Sequence, residues 1–159
     1  MKNLICTSIA FISLLLLSGC LVTNRLTGYV IKVQDGDTMT VSTHEDNSVK
    51  VRLDGIDAPE IGQDFSQKAK RYLSDLVADK KITIVSKGED QYGRLLGVVY
   101  VGKLNVNEEM VRQGLAWQYR YNEEQNYSNL QEEAQQKRLN IWSMENPVDP
   151  WLWRKMHNR

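Results

Sequence analysis

Thr27-Gly28-Tyr29-Val30-Ile31-Lys32-Val33-Gln34-Asp35-Gly36-Asp37-Thr38-Met39-Thr40-Val41-Ser42 decides the fold. Its β-branched residues roughly alternate with others, the period of a strand with one face buried, and the run is broken once by Asp35-Gly36. That dipeptide suits the positive φ angles of a tight hairpin, so the stretch reads as two antiparallel strands. Ser48-Val49-Lys50-Val51-Arg52-Leu53 follows the polar turn His44-Glu45-Asp46-Asn47 and reads as a third. Further on, Lys81-Ile82-Thr83-Ile84-Val85-Ser86 and Leu95-Leu96-Gly97-Val98-Val99-Tyr100-Val101 read as two more. Between the third and fourth strands, Phe65, Ala69, Tyr72, Leu73, Leu76 and Val77 recur at helical spacing, with Asp64 and Gln67 placed as a capping box. A second helix is expected from an Asn105 cap, with Glu108 at its third position, to Gly114, and a third from Ser128 to Leu139. Pro147 and Pro150 stop any continuation of that third helix. Three strands, a helix, two strands and two helices describe an α+β chain that is mainly β: a five-stranded OB-fold barrel with three helices, a shape that often carries ligands on one open face.

Composition sets the context. The 159 residues suit one domain, and 42% apolar content is enough for a single core. Residues 4–17 form an uncharged apolar run after Lys2, short for a spanning helix, that ends in Leu17-Ser18-Gly19-Cys20. The run resembles a bacterial lipoprotein signal, with Cys20 lipidated and becoming the mature amino terminus; the alternatives are a plain uncleaved anchor or an ordinary secretory signal. Each places the domain outside the cytoplasm. With Cys6 lost and Cys20 acylated, no thiol remains for a disulfide. Loss of Lys2 leaves 19 basic against 20 acidic residues, so affinity for a polyanion must come from a local site, not from the whole surface.

Three clusters carry candidate chemistry. Asp35-Gly36-Asp37-Thr38 is by itself an ordinary polar hairpin. In Val51-Arg52-Leu53-Asp54-Gly55-Ile56-Asp57-Ala58-Pro59-Glu60, a guanidinium and three carboxylates crowd a bend, and Pro59 biases Ala58 towards an extended conformation. Tyr92-Gly93-Arg94 is a turn entering a strand. A hard cation such as calcium takes oxygen ligands. Asp37, Asp57 and the Ala58 carbonyl supply them if the first hairpin lies beside the exit of the third strand. Phosphodiester hydrolysis needs charge neutralised at the phosphoryl oxygens and a placed water. Arg52 and Arg94 suit the first task, and Glu60 the second, by orienting or deprotonating the water.

From about Gly28 to Trp142 the chain resembles the staphylococcal nuclease family of thermonuclease-like domains. The matching pieces are Asp35-Gly36-Asp37-Thr38, Arg52-Leu53 with Asp57-Ala58-Pro59-Glu60, Tyr92-Gly93-Arg94, the run from Val106 to Ala116, and Leu139-Asn140-Ile141-Trp142, in that order and spacing. The resemblance implies an OB-fold enzyme that hydrolyses DNA and RNA with calcium and leaves 3′-phosphate ends. Carried over residue by residue, Asp37 and Asp57 bind the metal with the Ala58 carbonyl, Arg52 and Arg94 bind phosphate, and Glu60 is the proposed general base, a role debated within the family. Tyr92 corresponds to a nucleotide-contacting tyrosine. Tyr119 and Tyr121 fall near two more, across a one-residue gap.

The chain departs from the best-known member in having Ala58 for a threonine, Gln91 for a lysine, and a shorter segment after Glu60. None of these removes a catalytic group. The resulting organisation is a signal over 1–19, a lipidated Cys20 and tether over 20–26, a nuclease-like domain over 27–143, and an aromatic and basic tail over 144–159. In that tail, Trp151, Trp153, Arg154 and Lys155 either pack back on the domain or stack on a single strand. The expected protein is a monomeric enzyme of the cell envelope, anchored in the membrane through Cys20, or secreted if the anchor is absent. An OB-fold module that binds nucleic acid or a protein partner without catalysis is the alternative. His44 and His157 are far apart in the sequence and give no histidine-based mechanism.

Overall fold

The structure, a computed structural model, describes residues 25–43 and 47–157. The signal, the lipidation site Cys20, most of the tether, and His44, Glu45 and Asp46 of the second turn lie outside the described residues. Five strands form the barrel: β1 (Arg25–Val33), β2 (Thr38–Thr43), β3 (Ser48–Leu53), β5 (Lys81–Glu89) and β6 (Leu95–Val101). The two-residue strands β4 (Ile56–Asp57), β7 (Leu104–Asn105) and β8 (Trp117–Gln118) are added at its margins, β4 pairing with β8. β1 lies between β2 and β5, antiparallel to both. β3 then pairs with β2 on one side and, in parallel, with β6 on the other, which closes the sheet on itself. Met39, Val41, Val51, Leu53, Ile82, Ile84 and Val99 point inward and are almost wholly buried.

Helices cover the barrel where their apolar stripes require it. In α1 (Ser66–Val77) the buried residues Ala69, Leu73 and Val77 recur every fourth position. α2 (Val106–Arg112) buries Val106, Met110 and Val111, and α3 (Gln125–Gln136) packs on it through Tyr127, Leu130 and Ala134. The Asn105 cap forms as the sequence indicates: its side chain accepts a hydrogen bond from the Glu108 N–H at 3.2 Å. Gly114 follows α2 at φ 62°.

Several sequence expectations are corrected. Neither Asp35 nor Gly36 has positive φ. The first hairpin closes over four residues instead, with the Gln34 N–H donating to the Thr38 carbonyl at 2.9 Å. Gly36 is needed for space: a Cβ there would lie 2.7 Å from the Ala58 Cβ and 2.8 Å from the Ala69 Cβ, both fixed to backbone. The Asp64 capping box does not form, because Phe65 takes the N-cap position at φ 64° with no side-chain cap. β1 starts at Arg25, inside the expected tether, and α3 starts three residues before Ser128. There are four α-helices, not three, among the described residues, with a 3-10 turn over Asn140–Ser143. The fourth, α4 (Pro150–Met156), lies in what the sequence reads as a tail. The Asp149 side chain accepts from the Leu152 N–H at 2.9 Å, and proline occupies the first turn, where its missing N–H does no harm.

A wholly buried amide reinforces the closure of the barrel. Asn107 Oδ1 accepts from the Val99 N–H at 3.0 Å, while its Nδ2 donates to the Asp54 carbonyl at 2.8 Å and the Gly97 carbonyl at 3.1 Å. It thereby ties the exit of β3 to β6. Asn107→Ala removes three hydrogen bonds, leaving the buried Val99 N–H and the part-buried Asp54 carbonyl without this partner while the Gly97 carbonyl keeps the Asp54 N–H, and should lower unfolding free energy by roughly 2–4 kcal/mol, measured by urea titration. A loss below about 1 kcal/mol would show that closure does not depend on it.

Candidate active site

The bend after β3 is held by its own main chain. The Asp54 N–H donates to the Gly97 carbonyl at 2.9 Å, and Gly55, at φ 76°, turns the chain so that its carbonyl accepts from the Tyr119 N–H at 2.9 Å. Ile56 and Asp57 then run as β4 against β8, which points Asp57 back under the barrel mouth. The Leu53 N–H donates to the Asp37 carbonyl at 2.8 Å, so the first hairpin lies beside the exit of β3.

This register brings two buried carboxylates onto one guanidinium. Arg52 Nη1 lies 2.6 Å from Asp37 Oδ2, and Nη2 lies 2.9 Å from Asp57 Oδ1 and 3.3 Å from the Ile56 carbonyl. Asp37 also accepts from the Ala58 N–H at 2.9 Å and from the Thr38 hydroxyl at 2.9 Å. Burial alone would push the Asp37 carboxyl up; the Arg52 charge and these hydrogen bonds outweigh it and hold the group below the usual carboxylate range. Arg52, flanked by two carboxylates, is held in its cationic form despite its burial.

Arg94 is fixed by a residue the sequence reading did not single out. Asp90 Oδ1 accepts from the N–H groups of Tyr92 and Arg94, at 2.9 and 3.0 Å, and Asp90 Oδ2 accepts from Arg94 Nε at 2.7 Å. The Arg94 guanidinium lies 5.5 Å over the exposed Tyr92 ring. A cavity of about 610 Å³ opens between these parts, with Asp37, Arg52, Ala58, Glu60, Arg94 and Tyr119 on its walls together with Tyr92. Tyr121 lies outside the cavity lining, exposed and edge-on to Tyr119 at 5.4 Å between ring centres.

Two further side chains on the cavity wall stand in stretches the sequence reading quotes but are given no role there at the site. Arg154 of α4 donates from Nη2 to Asp57 Oδ2 at 2.9 Å and from Nη1 to Asp57 Oδ1 at 3.2 Å and Glu60 Oε1 at 2.6 Å. The signal for it was Asp149-Pro150, a helix start that would have turned the basic tail into a helix with one face on the barrel. Asp35 is the other; its Oδ1 accepts from the Asp37 N–H at 3.0 Å.

The donor set at the bend suits a hard cation. Among the described residues no group of three or more His, Cys, Asp or Glu side chains is arranged to hold a metal ion. Asp37 and Asp57 would therefore be completed by the Ala58 carbonyl and water, an all-oxygen set that calcium accepts.

Asp35 yields a pH test. Its burial, with the Asp37 charge beside it, raises the carboxyl from 3.8 to about 6. The folded chain thus keeps this proton up to about pH 6, while the unfolded chain releases it near 3.8. Stability from this group is full below the lower value and is lost as pH rises through about 6. Asp35→Asn keeps an acceptor for the Asp37 N–H. In chelator, it should be more stable than wild type by roughly 1–2 kcal/mol at pH 8, a figure reduced for partial contact with water, and the gap should shrink towards pH 4. Thermal melts at the two pH values check this; an equal gap at both would contradict it.

The chain is similar to known nucleases over most of its length. Residues 50–144 match the family description "Staphylococcal nuclease homologue". An uncharacterized endonuclease of Haemophilus influenzae is 49% identical over 127 residues, covering 79% of this chain and 71% of the relative. A micrococcal nuclease of Shigella flexneri is 40% identical over 141 residues and 80% of each chain. A staphylococcal-like nuclease of Arabidopsis thaliana is 37% identical over 107 residues, 67% of this chain and 33% of that one. Matched over more than half its length by the family description and folded as a closed barrel, the chain belongs to the staphylococcal nuclease family.

Proposed function

We propose that this nuclease is calcium-dependent, that it hydrolyses DNA and RNA with little sequence specificity to leave 3′-phosphate ends, and that it works as a monomer outside the cytoplasm, anchored through lipid on Cys20. The observation that carries the chemical part is the convergence of Arg52, Arg94, Asp37 and Glu60 on one cavity, with Asp57 just outside its lining and tied to it through Arg52. Residues 1–20 alone support the anchor.

Asp37, Asp57 and the Ala58 carbonyl would hold calcium, which when bound supplies positive charge beside the phosphoryl oxygens. Arg52 and Arg94 bind the phosphate. A guanidinium has five N–H donors, so Arg52 can keep its carboxylate partners and still offer one to a phosphoryl oxygen. Both arginines enter substrate binding already placed, Arg52 by the two aspartates and Arg94 by Asp90, which lowers the ordering needed at the transition state. Glu60 is half-buried on the cavity wall, where its carboxylate orients or deprotonates the attacking water. The water gives up a proton to Glu60 as its oxygen bonds to phosphorus, the bond to the 5′ oxygen breaks, and that oxygen leaves with a proton drawn from solvent. Tyr92 and Tyr119 flank the cavity as surfaces for nucleotide rings, with Tyr121 beside Tyr119. The apolar content of those rings tolerates any base, consistent with low sequence preference.

The full-length chain in mild detergent should shorten a labelled single-stranded oligonucleotide in calcium and stop when chelator is added. Cleavage that persists in excess chelator would remove the metal role; retention of the oligonucleotide without cleavage would instead favour the binding-module alternative. Glu60→Gln should lower kcat by about 10²- to 10⁴-fold, the usual contribution of a placed acid or base. Arg52→Ala and Arg94→Ala should each lose roughly 3–4 kcal/mol of transition-state stabilisation, read from kcat/KM. A Glu60→Gln enzyme with wild-type kcat would take that residue out of the chemistry.

A further inference from the structure

We propose that Arg154 is an internal counter-cation of the active site, whose fork competes with calcium for Asp57 and so links the docking of α4 to metal binding; this rests on the assignment of Asp57 as a calcium ligand. Arg154 engages both oxygens of Asp57, at 2.9 and 3.2 Å, and reaches Glu60 at 2.6 Å with the same guanidinium. A carboxylate whose two oxygens face one fork has its strongest acceptor directions taken, so a cation binding at Asp57 must displace or tilt that fork. Asp37 is different: its cationic partner is Arg52, which lies between the two aspartates and is fixed by β3. Of the two arginines at Asp57, Arg154 is the one on a separable element.

α4 is held at the edge of the fold. Pro150 is buried, Trp151 and Trp153 are half-buried, and none of its residues belongs to the barrel's central cluster. A crevice of about 150 Å³, lined by Asp57, Trp117, Arg120 and Trp151 among others, opens beside it. Polar contacts help to dock it: the Arg154 fork, the Gln63 amide donating to the Val148 carbonyl at 2.6 Å, and the Arg120 guanidinium over the Trp151 ring at 3.6 Å. Gln63 also accepts from the Glu60 N–H at 2.9 Å, so the segment leading into α4 and the turn carrying Glu60 share a support. Calcium at Asp57 would then free Arg154 from one carboxylate while leaving it beside Glu60 on the cavity wall. Because linkage is reciprocal, a chain without the fork binds calcium more tightly.

The test is calorimetric titration of calcium chloride into the full-length wild-type chain, Arg154→Gln, Arg154→Lys and Lys155→Gln. Removing the fork in Arg154→Gln should tighten calcium binding by about fivefold or more. Arg154→Lys keeps the charge without the fork and should also bind more tightly than wild type, and it carries the test if the glutamine variant does not fold. Lys155→Gln removes a charge one residue along α4 and should stay within about twofold. Weaker or equal binding in both Arg154 variants would mean that the arginine only braces the site, and the proposal falls. Equal tightening in Lys155→Gln would mean a general field effect and also overturns it. Calcium binding by none of the four chains would overturn this inference together with the metal assignment, whereas binding by all with equal affinity would overturn this inference alone.

Discussion

The site depends on holding two carboxylates in a place that water barely reaches. Asp37 and Asp57 each retain only 5% of their exposure, and they share one guanidinium, Arg52. Like charges this deep are tolerated only with a cation between them. The arrangement gives little net stability, because the desolvation of three charged groups offsets most of their attraction, and apolar residues of similar volume would hold the fold at least as well. The constraint therefore points to chemistry. Its geometric demand falls on the barrel: the first hairpin must deliver Asp37, β3 must deliver Arg52, and the bend at Gly55 must return Asp57 to the same guanidinium.

Those demands explain why small residues stand where they do. Gly36 allows the first hairpin to touch Ala58 and Ala69, so the loop carrying Asp37 can sit directly on the segment that follows Asp57. The alanine at 58 is part of this close approach, and a threonine there would have to fit the same gap. Asn107 holds β6 against the exit of β3, so one buried amide fixes the strand whose preceding turn carries Arg94. Core and site thus share their supports.

Much of this was legible in the chain. Alternation in the five barrel strands, the stripe of α1 and the Asn105 cap are local signals, and local signals survive folding. The residues at the bend were legible because their types and spacing fit one chemistry. What was not legible depended on contacts between distant parts. The role of Gly36 is set by Ala58 and Ala69, so it reads locally as a turn glycine and acts in fact as a spacer. Phe65 takes the N-cap position at positive φ in place of Asp64, a backbone conformation that the side-chain types of a capping box do not encode. Arg154 reaches Asp57 across 97 positions of sequence, and no periodicity encodes such a pair.

The position of Arg154 alters how Glu60 is to be understood. Alone on the bend, that carboxylate looks like a base open to solvent and governed only by its immediate neighbours. In the folded chain its Oε1 accepts a charge-assisted hydrogen bond from Arg154 of α4, which fixes its direction. The same bond occupies an oxygen that the water would use. Glu60 can therefore be well aimed or fully available, and the balance between the two lies with α4. An element outside the central core is in this way joined to both carboxylates, Asp57 and Glu60, to which the proposed chemistry is assigned.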